Sequence, residues 1–267
     1  MKENLELLIQ EVQRNSKYRH IDRQLIENVA ILETAKGRSF KDSVKAVRNK
    51  LHQIANAYQP TSISYTKIIE KMISLPTDLK HPSVRTFCQE TMRLHTSTRE
   101  RLPELETFFL TSLGSMAPIT SLLDVACGLN PLALAWMPTT PDVRVYACDV
   151  FGDQIDFLNR FFTYFGINGQ AFSCDLTQTI PEIEVDVTFI LKTIPCLEQI
   201  DKNIAPRLLA NIKSKNLLVS FPTRSLAGQG KGMRQNYNQH FQEIVNGHNW
   251  RISQFSFSNE EAYLIQK

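Results

Sequence analysis

The feature that most constrains this chain is a change of rhythm near Thr120. Upstream, apolar residues recur at steps of three and four, as on helices that bury one face. Downstream, short apolar runs alternate with helical stretches. The runs are Ser121–Ala126, Val143–Cys148, Gln170–Cys174, Val185–Leu191 and Leu217–Phe221. Amphipathic segments lie between several of them, at Asp153–Phe165 (Ile155, Leu158, Phe161, Phe162) and Ile200–Ile212 (Ile204, Leu208, Leu209). Strands that alternate with helices form βαβ units, so an α/β fold with a mostly parallel sheet is expected. A further helix is predicted at Met233–Val245. The last two runs, Trp250–Phe257 and Glu260–Ile265, are separated only by a short turn and predict an antiparallel hairpin at a sheet edge.

The first part of the chain reads as helical, with helices predicted at 39–58, 65–74, 83–94 and 98–112. Ser39 and Asp42 resemble a capping box at the start of the first. Phe40, Val44, Val47, Leu51, Ile54 and Tyr58 form its apolar stripe, and Lys41, Lys45, Arg48 and His52 a basic stripe beside it. That second stripe reads either as a solvated flank or as a ridge that tracks phosphates. A boundary falls near Gly114–Pro118, dividing a basic helical domain (1–115) from an α/β domain (116–267). Charge follows the division. Residues 1–110 hold 18 Lys/Arg against 13 Asp/Glu (+5), and the remainder holds 12 against 14 (−2), which sums to the chain's +3. A basic half is a candidate docking surface for a polyanion. No apolar stretch is long enough for a membrane span, and a soluble cytoplasmic protein is expected. The five cysteines form no CxxC pair, so neither a disulfide nor a metal site is expected.

Chemistry concentrates where strands end, the place where open α/β sheets bind ligands. The first run leads into Asp124-Val125-Ala126-Cys127-Gly128-Leu129-Asn130-Pro131. Gly128 is all that remains of a phosphate-binding glycine pattern, which argues against a dinucleotide. Asp149 ends the second run, 21 positions after Gly128, at the distance where an acid reaches ribose hydroxyls. Asp175 follows the third run and could accept from an adenine amino group, with Leu176 packed on the ring. Each aspartate alone could equally be a helix cap. Together, three strand-terminal sites in this order point to a nucleoside cofactor without phosphate, S-adenosyl-L-methionine. The closing hairpin agrees, because a dehydrogenase would continue with βαβ. The fold class is thus a Rossmann-like S-adenosylmethionine-dependent methyltransferase sheet with an N-terminal helical domain. Lys192, at the end of the fourth run beside Leu191, reads either as a tether for substrate phosphate or as a side chain that snorkels to solvent.

Two further motifs stand out. His95-Thr96-Ser97-Thr98-Arg99-Glu100-Arg101 contains a Ser-x-x-Glu capping box at Ser97 and Glu100. Ser220-Phe221-Pro222-Thr223-Arg224-Ser225-Leu226 continues into Gly228-Gln229-Gly230-Lys231-Gly232-Met233. Arg224, Lys231 and Arg234 make this glycine-rich segment basic, as a substrate-clamping flap would be. With these motifs, the loop at 124–134, Leu191-Lys192 and the Lys50–Tyr58 segment, the chain resembles the aminoglycoside-resistance 16S rRNA (guanine-N7) methyltransferases. The likeness covers most of the chain.

That resemblance implies a cofactor pocket in which His95, Thr96, Ser97 and Arg101 approach from the helical domain. Arg101 would pair with the cofactor carboxylate, and Tyr58 would close over it. Ala126, Gly128, Asp149, Asp175, Leu176 and Leu191 would line the rest. By their charge and position, Lys41, Lys45, Arg48, Lys192, Arg224, Lys231 and Arg234 are the residues expected to face RNA. The implied partner is 16S rRNA in the assembled small ribosomal subunit, and a monomer is expected. Guanine N7 has a lone pair and no proton, so no catalytic base is expected and none is assigned. Two rival readings are a small-molecule methyltransferase and a non-catalytic RNA-binding protein on a methyltransferase fold.

Overall fold

The computed structural model describes residues 2–54, 59, 62–223 and 232–267. Three helices come first: α1 (Lys2–Gln13), α2 (Arg23–Thr34) and α3 (Phe40–Ile54). Asp22 caps α2 by accepting from the backbone N–H groups of Gln24 and Leu25. Half of the predicted capping box of α3 forms, with the Asp42 N–H donating to Ser39 Oγ at 3.2 Å, while the Asp42 carboxylate accepts from the Ser39 hydroxyl at 2.6 Å. Leu8, Val12, Ile26, Val29, Val47 and Leu51 pack these helices around a core of their own. The apolar stripe of α3 begins at Val44, because Phe40 in the first turn is 48% exposed.

Four more helices follow: α4 (Tyr65–Met72), α5 (Pro82–Met92), α6 (Thr96–Arg101) and α7 (Leu105–Leu113). The single helix expected over 98–112 is broken between α6 and α7 by a 3₁₀ turn at Leu102–Glu104. Pro103 lies in that turn, and proline can neither donate to the preceding turn nor fit against it. The Ser97–Glu100 capping box does not form. His95 occupies the N-cap of α6, and Glu100 instead reaches Lys192.

The sheet contains β1 (Ile119–Val125), β2 (Thr139–Asp149), β3 (Gly169–Ser173), β4 (Val187–Leu191), β5 (Asn216–Pro222), β6 (Arg251–Ser256) and β7 (Glu260–Gln266). Its order is β3-β2-β1-β4-β5-β7-β6. β1 to β5 are parallel, and the β6–β7 hairpin closes the edge with β7 antiparallel to β5. Helices α8 (Gly152–Tyr164), α9 (Ile194–Leu197), α10 (Ile204–Asn211) and α11 (Met233–Val245) complete the chain. The central strands are apolar on both faces, as parallel strands covered on both sides must be. Leu122 and Val145 face one core and Leu123 and Val219 the other.

The expected boundary near residue 115 does not separate two cores. Val84, Phe87, Leu105 and Phe108 of α5 and α7 share a single core with α8 and the sheet. The reason lies in the crossover from β1 to β2, a 3₁₀ run at Asn130–Trp136 in place of a full helix. α5 and α7 pack against that run and cover the sheet face it leaves. Among the described residues, only α1–α3 form a unit with a core of its own, and they dock on the loop after β2. Asp22 N–H donates to Val150 O at 2.6 Å, Gly152 N–H donates to His20 O at 2.8 Å, and Ile21 pairs with Phe151.

Candidate cofactor site and its buried ion network

The strand order reverses between β1 and β4, and the carboxyl ends of these strands open onto a cavity. It holds about 680 Å³ of free space, part of it open to solvent. The backbone bends sharply there. Ala126 (φ 49°) and Lys192 (φ 57°) adopt left-handed conformations, which cost a non-glycine residue about 1–2 kcal/mol. The second is pinned by Ser220, whose carbonyl and hydroxyl oxygens accept from the Lys192 N–H at 3.0 and 3.1 Å. Gly128 is also left-handed, and a Cβ there would lie 2.7 Å from Cε1 of His95. The loop therefore needs glycine for two reasons, conformation and the imidazole ring packed against it.

The two strand-end aspartates both reach the cavity. Asp149 Oδ2 accepts from the Gly128 N–H at 2.9 Å and Oδ1 from the Val150 N–H at 2.7 Å. Burial raises its pKa against the pull of these donors. Asp175 Oδ1 accepts from the Thr177 N–H at 2.9 Å and from Thr177 Oγ1 at 2.7 Å. Its Oδ2 accepts from Nδ2 of Asn28, on α2, at 2.9 Å. Leu25 and Ile54, also from the three-helix unit, complete the wall with Leu176 and Leu191.

Beside the cavity lies a chain of buried ions. Glu260, at the start of β7, is 2% exposed. Its Oε2 accepts from Arg101 Nε at 3.0 Å and its Oε1 from Arg101 Nη2 at 2.6 Å. Ser220 Oγ donates to Oε1 at 2.5 Å, and Lys192 Nζ stands 3.6 Å from Oε2. Lys192 Nζ also meets Glu100 Oε2 at 2.7 Å. Arg101 Nη1 donates to Asn130 Oδ1 at 2.8 Å, and Asn130 Nδ2 donates to Asp124 Oδ2 at 2.7 Å. Burial pushes Glu260 up, but Arg101 and Lys192 outweigh it and leave the carboxyl below its ordinary value. Asp124 is pushed up to about 7 by burial, against the Asn130 hydrogen bond. His95, with Nδ1 3.1 Å from Ser97 Oγ, is pushed down to about 4 by burial and by the charges of Arg101, Lys192 and Arg99. Its ring is neutral near pH 7.

His95, Ser97, Ala126, Asp149 and Asp175 thus come together on one cavity, with Leu176, Leu191 and Lys192. Gly128 and Thr96 stand behind it, Thr96 accepting from Arg99 Nη2 at 3.3 Å. Arg101 departs from expectation. Its side chain is 2% exposed and bound to the Glu260 carboxylate, and it is not among the residues that line the cavity. Lys192 neither snorkels nor tethers surface phosphate, because its side chain is 0% exposed and ion-paired. On α3, Lys41 and Lys45 are exposed, whereas Arg48 is tied to the Glu11 carbonyl of α1. Arg234 is half-exposed and held by Glu261 at 3.2 Å and the Phe257 carbonyl at 2.8 Å. Tyr58, Arg224 and Lys231 lie outside the described residues. No metal-holding cluster occurs among the described residues.

Sequence reasoning missed Glu260, Asn28 and Leu25. The only trace of the first is a pair of acids, Glu260-Glu261, opening an otherwise apolar closing strand. Glu100 and Asn130 stand out in the sequence for local motifs, not for the ions they meet.

Comparison with known proteins gives this arrangement its context. Residues 14–265 match the family model described as ribosomal RNA methyltransferase (FmrO). A 16S rRNA (guanine(1405)-N(7))-methyltransferase of Micromonospora rosea is 30% identical over 267 residues, covering 99% of this chain and 97% of its own. That of Micromonospora echinospora is 34% identical over 239 residues, covering 89% and 87%. Among solved structures, the 16S rRNA methyltransferase RmtF in complex with S-adenosyl-L-homocysteine superposes with a TM-score of 0.84 at 28% identity. The match covers 100% of this chain and 99% of that one. The 16S rRNA methylase RmtB gives 0.80 at 26% identity, covering 98% of each. A match this long, over the helical unit and the sheet together, leaves one conclusion: the chain belongs to the ribosomal RNA methyltransferase (FmrO) family.

Proposed function

We propose that the protein transfers the methyl group of S-adenosyl-L-methionine to N7 of a guanosine in the aminoglycoside-binding A-site of 16S rRNA. The assembled small ribosomal subunit is its substrate, in the cytoplasm, and it acts as a monomer. The observation that carries this reading is the near-complete coverage of two relatives named for that reaction. The cavity fits the cofactor. Carboxylates at Asp149 and Asp175 suit ribose hydroxyls and an adenine amino group, which are donors. Leu25, Leu176 and Leu191 supply the apolar walls a purine ring needs. When bound, the cofactor supplies an electrophilic sulfonium methyl.

The protein's own contribution is placement. Guanine N7 offers a lone pair and carries no proton, so a side-chain base has nothing to remove. His95 is neutral near pH 7 and adds no charge beside the sulfonium. The remaining tasks are to align N7 with the methyl group and to exclude water. A guanosine inside a duplex must be flipped or locally distorted to reach the cavity. The exposed Lys41 and Lys45 of α3 are the docking contacts proposed for rRNA phosphates, on the unit that also walls the cofactor site.

The test is mass mapping of small subunits treated with the purified protein and cofactor, together with drug sensitivity of cells that express it. The expected result is one added methyl at guanine N7 in the A-site and resistance to kanamycin- and gentamicin-type drugs, with sensitivity to streptomycin retained. Methylation at another nucleotide, or resistance without methylation, overturns the reading. Methyl transfer to free small molecules alone favours the small-molecule rival.

A further inference from the structure

We infer that Asn28 of α2 is a positioning residue for the cofactor, acting through Asp175. The inference deepens the proposed reading and rests on Asp175 being a cofactor ligand. A carboxylate at the end of a strand is free to rotate unless both oxygens are held. Thr177 holds Oδ1 with two donors, at 2.9 and 2.7 Å. The only side-chain donor on Oδ2 among the described residues is Asn28 Nδ2, at 2.9 Å. Asp175 is 7% exposed, so an unheld oxygen has little water to turn to. Asn28 therefore fixes the plane of a carboxylate that lines the cavity.

The partner comes from 147 residues away and from a unit with its own core. α2 is held in place there by main-chain contacts, with Asp22 N–H on Val150 O and His20 O accepting from the Gly152 N–H. Leu25, one turn before Asn28, lines the same cavity. The nucleoside pocket is thus completed by the three-helix unit and is not a property of the sheet alone. An amide suits this position because it donates to a carboxylate without adding charge. A second carboxylate at the same distance would compete with Asp175 for one proton, and one of the pair would be raised strongly.

The experiment uses the full chain and S-adenosyl-L-homocysteine as probe, with binding read by calorimetry and KM for cofactor and subunit read separately. Asn28→Ala should weaken binding roughly three- to tenfold, where tenfold corresponds to about 1.4 kcal/mol. KM for the cofactor should rise while KM for the subunit holds. Asn28→Asp should bind poorly at pH 8 and recover toward pH 5.5, a dependence that a purely structural asparagine would not produce. Unchanged affinity in both variants, or an equal rise in both KM values, overturns the inference. Asp175→Ala separates the two readings. If it leaves affinity unchanged the site assignment itself fails, and if it weakens binding while Asn28→Ala does not, only the role of Asn28 fails.

Discussion

Arg101→Ala tests whether the conspicuous arginine of the His95–Arg101 run is a ligand anchor or part of the protein's interior. An anchor exposed to the cavity could be truncated with the fold intact. The structure puts the Arg101 side chain at 2% exposure against the Glu260 side chain, at 3%, with 2.6 Å between them. The Arg101 charge also lies 4.6 Å from the centre of the Phe108 ring. Removing one partner of such a pair strands the other charge, at a cost of about 3–5 kcal/mol. Here Ser220 and Lys192 stay on the Glu260 carboxylate, so the low end, near 3 kcal/mol, is expected. For a chain of this size that lowers Tm by roughly 6–12 °C. Arg101→Lys should fall between, since one ammonium cannot span two carboxylate oxygens and Asn130 at once. The double variant Arg101→Met/Glu260→Leu should recover most of the stability, because a buried pair often exchanges for apolar residues at little cost. The assay is thermal denaturation by circular dichroism beside cofactor titration. A wild-type Tm for Arg101→Ala with lost cofactor binding would restore the direct anchor and refute the buried pair. A double variant as unstable as the single one would refute the explanation by an uncompensated charge.

Three further outcomes follow from the same geometry. Gly128→Ala should lower stability by at least about 1–2 kcal/mol for the left-handed backbone, and cofactor affinity with it, because its Cβ must displace His95 at 2.7 Å; calorimetry showing native affinity would refute the close approach. The His95 imidazole has a folded pKa of about 4 against an ordinary 6.5. Between those values the unfolded chain binds the extra proton, so the imidazole's own contribution to stability should fall by up to about 1.4 kcal/mol per unit as pH drops from 6.5 toward 4. Asp124, raised to about 7, acts with the opposite sign between its ordinary 3.8 and 7. His95→Gln should therefore remove the acid-side loss and leave stability rising as pH falls, and denaturant melts across pH 4–7 that match wild type would refute the assignment. Reversing Lys41 and Lys45 to Glu should weaken subunit binding and flatten its salt dependence by about 0.9 for each phosphate no longer neutralised, and wild-type binding at every salt concentration would make that face a solvated flank.

What the sequence determined on its own is the local order of things. Period-two and period-3.6 patterns are carried by neighbours within one element, so the five parallel strands, the closing hairpin and the strand-end positions of Gly128, Asp149 and Asp175 were readable from residue spacing. The Ser39–Asp42 contact was readable for the same reason, since both partners lie within one turn. Partners chosen across long separations were not. Ser97 and Glu100 satisfy a capping pattern by spacing, yet Glu100 is taken by Lys192, 92 residues away. Arg101 finds Glu260 across 159 residues, and Asp175 finds Asn28 across 147. Only the folded sheet brings the start of β7 beside the end of β4, and only the docked three-helix unit brings α2 over the end of β3. The division into domains was decided the same way. α5 and α7 read as part of a helical half, but the β1–β2 crossover supplies only a 3₁₀ run. The apolar sheet face left open beside it must be covered by something, and these helices are what reaches it.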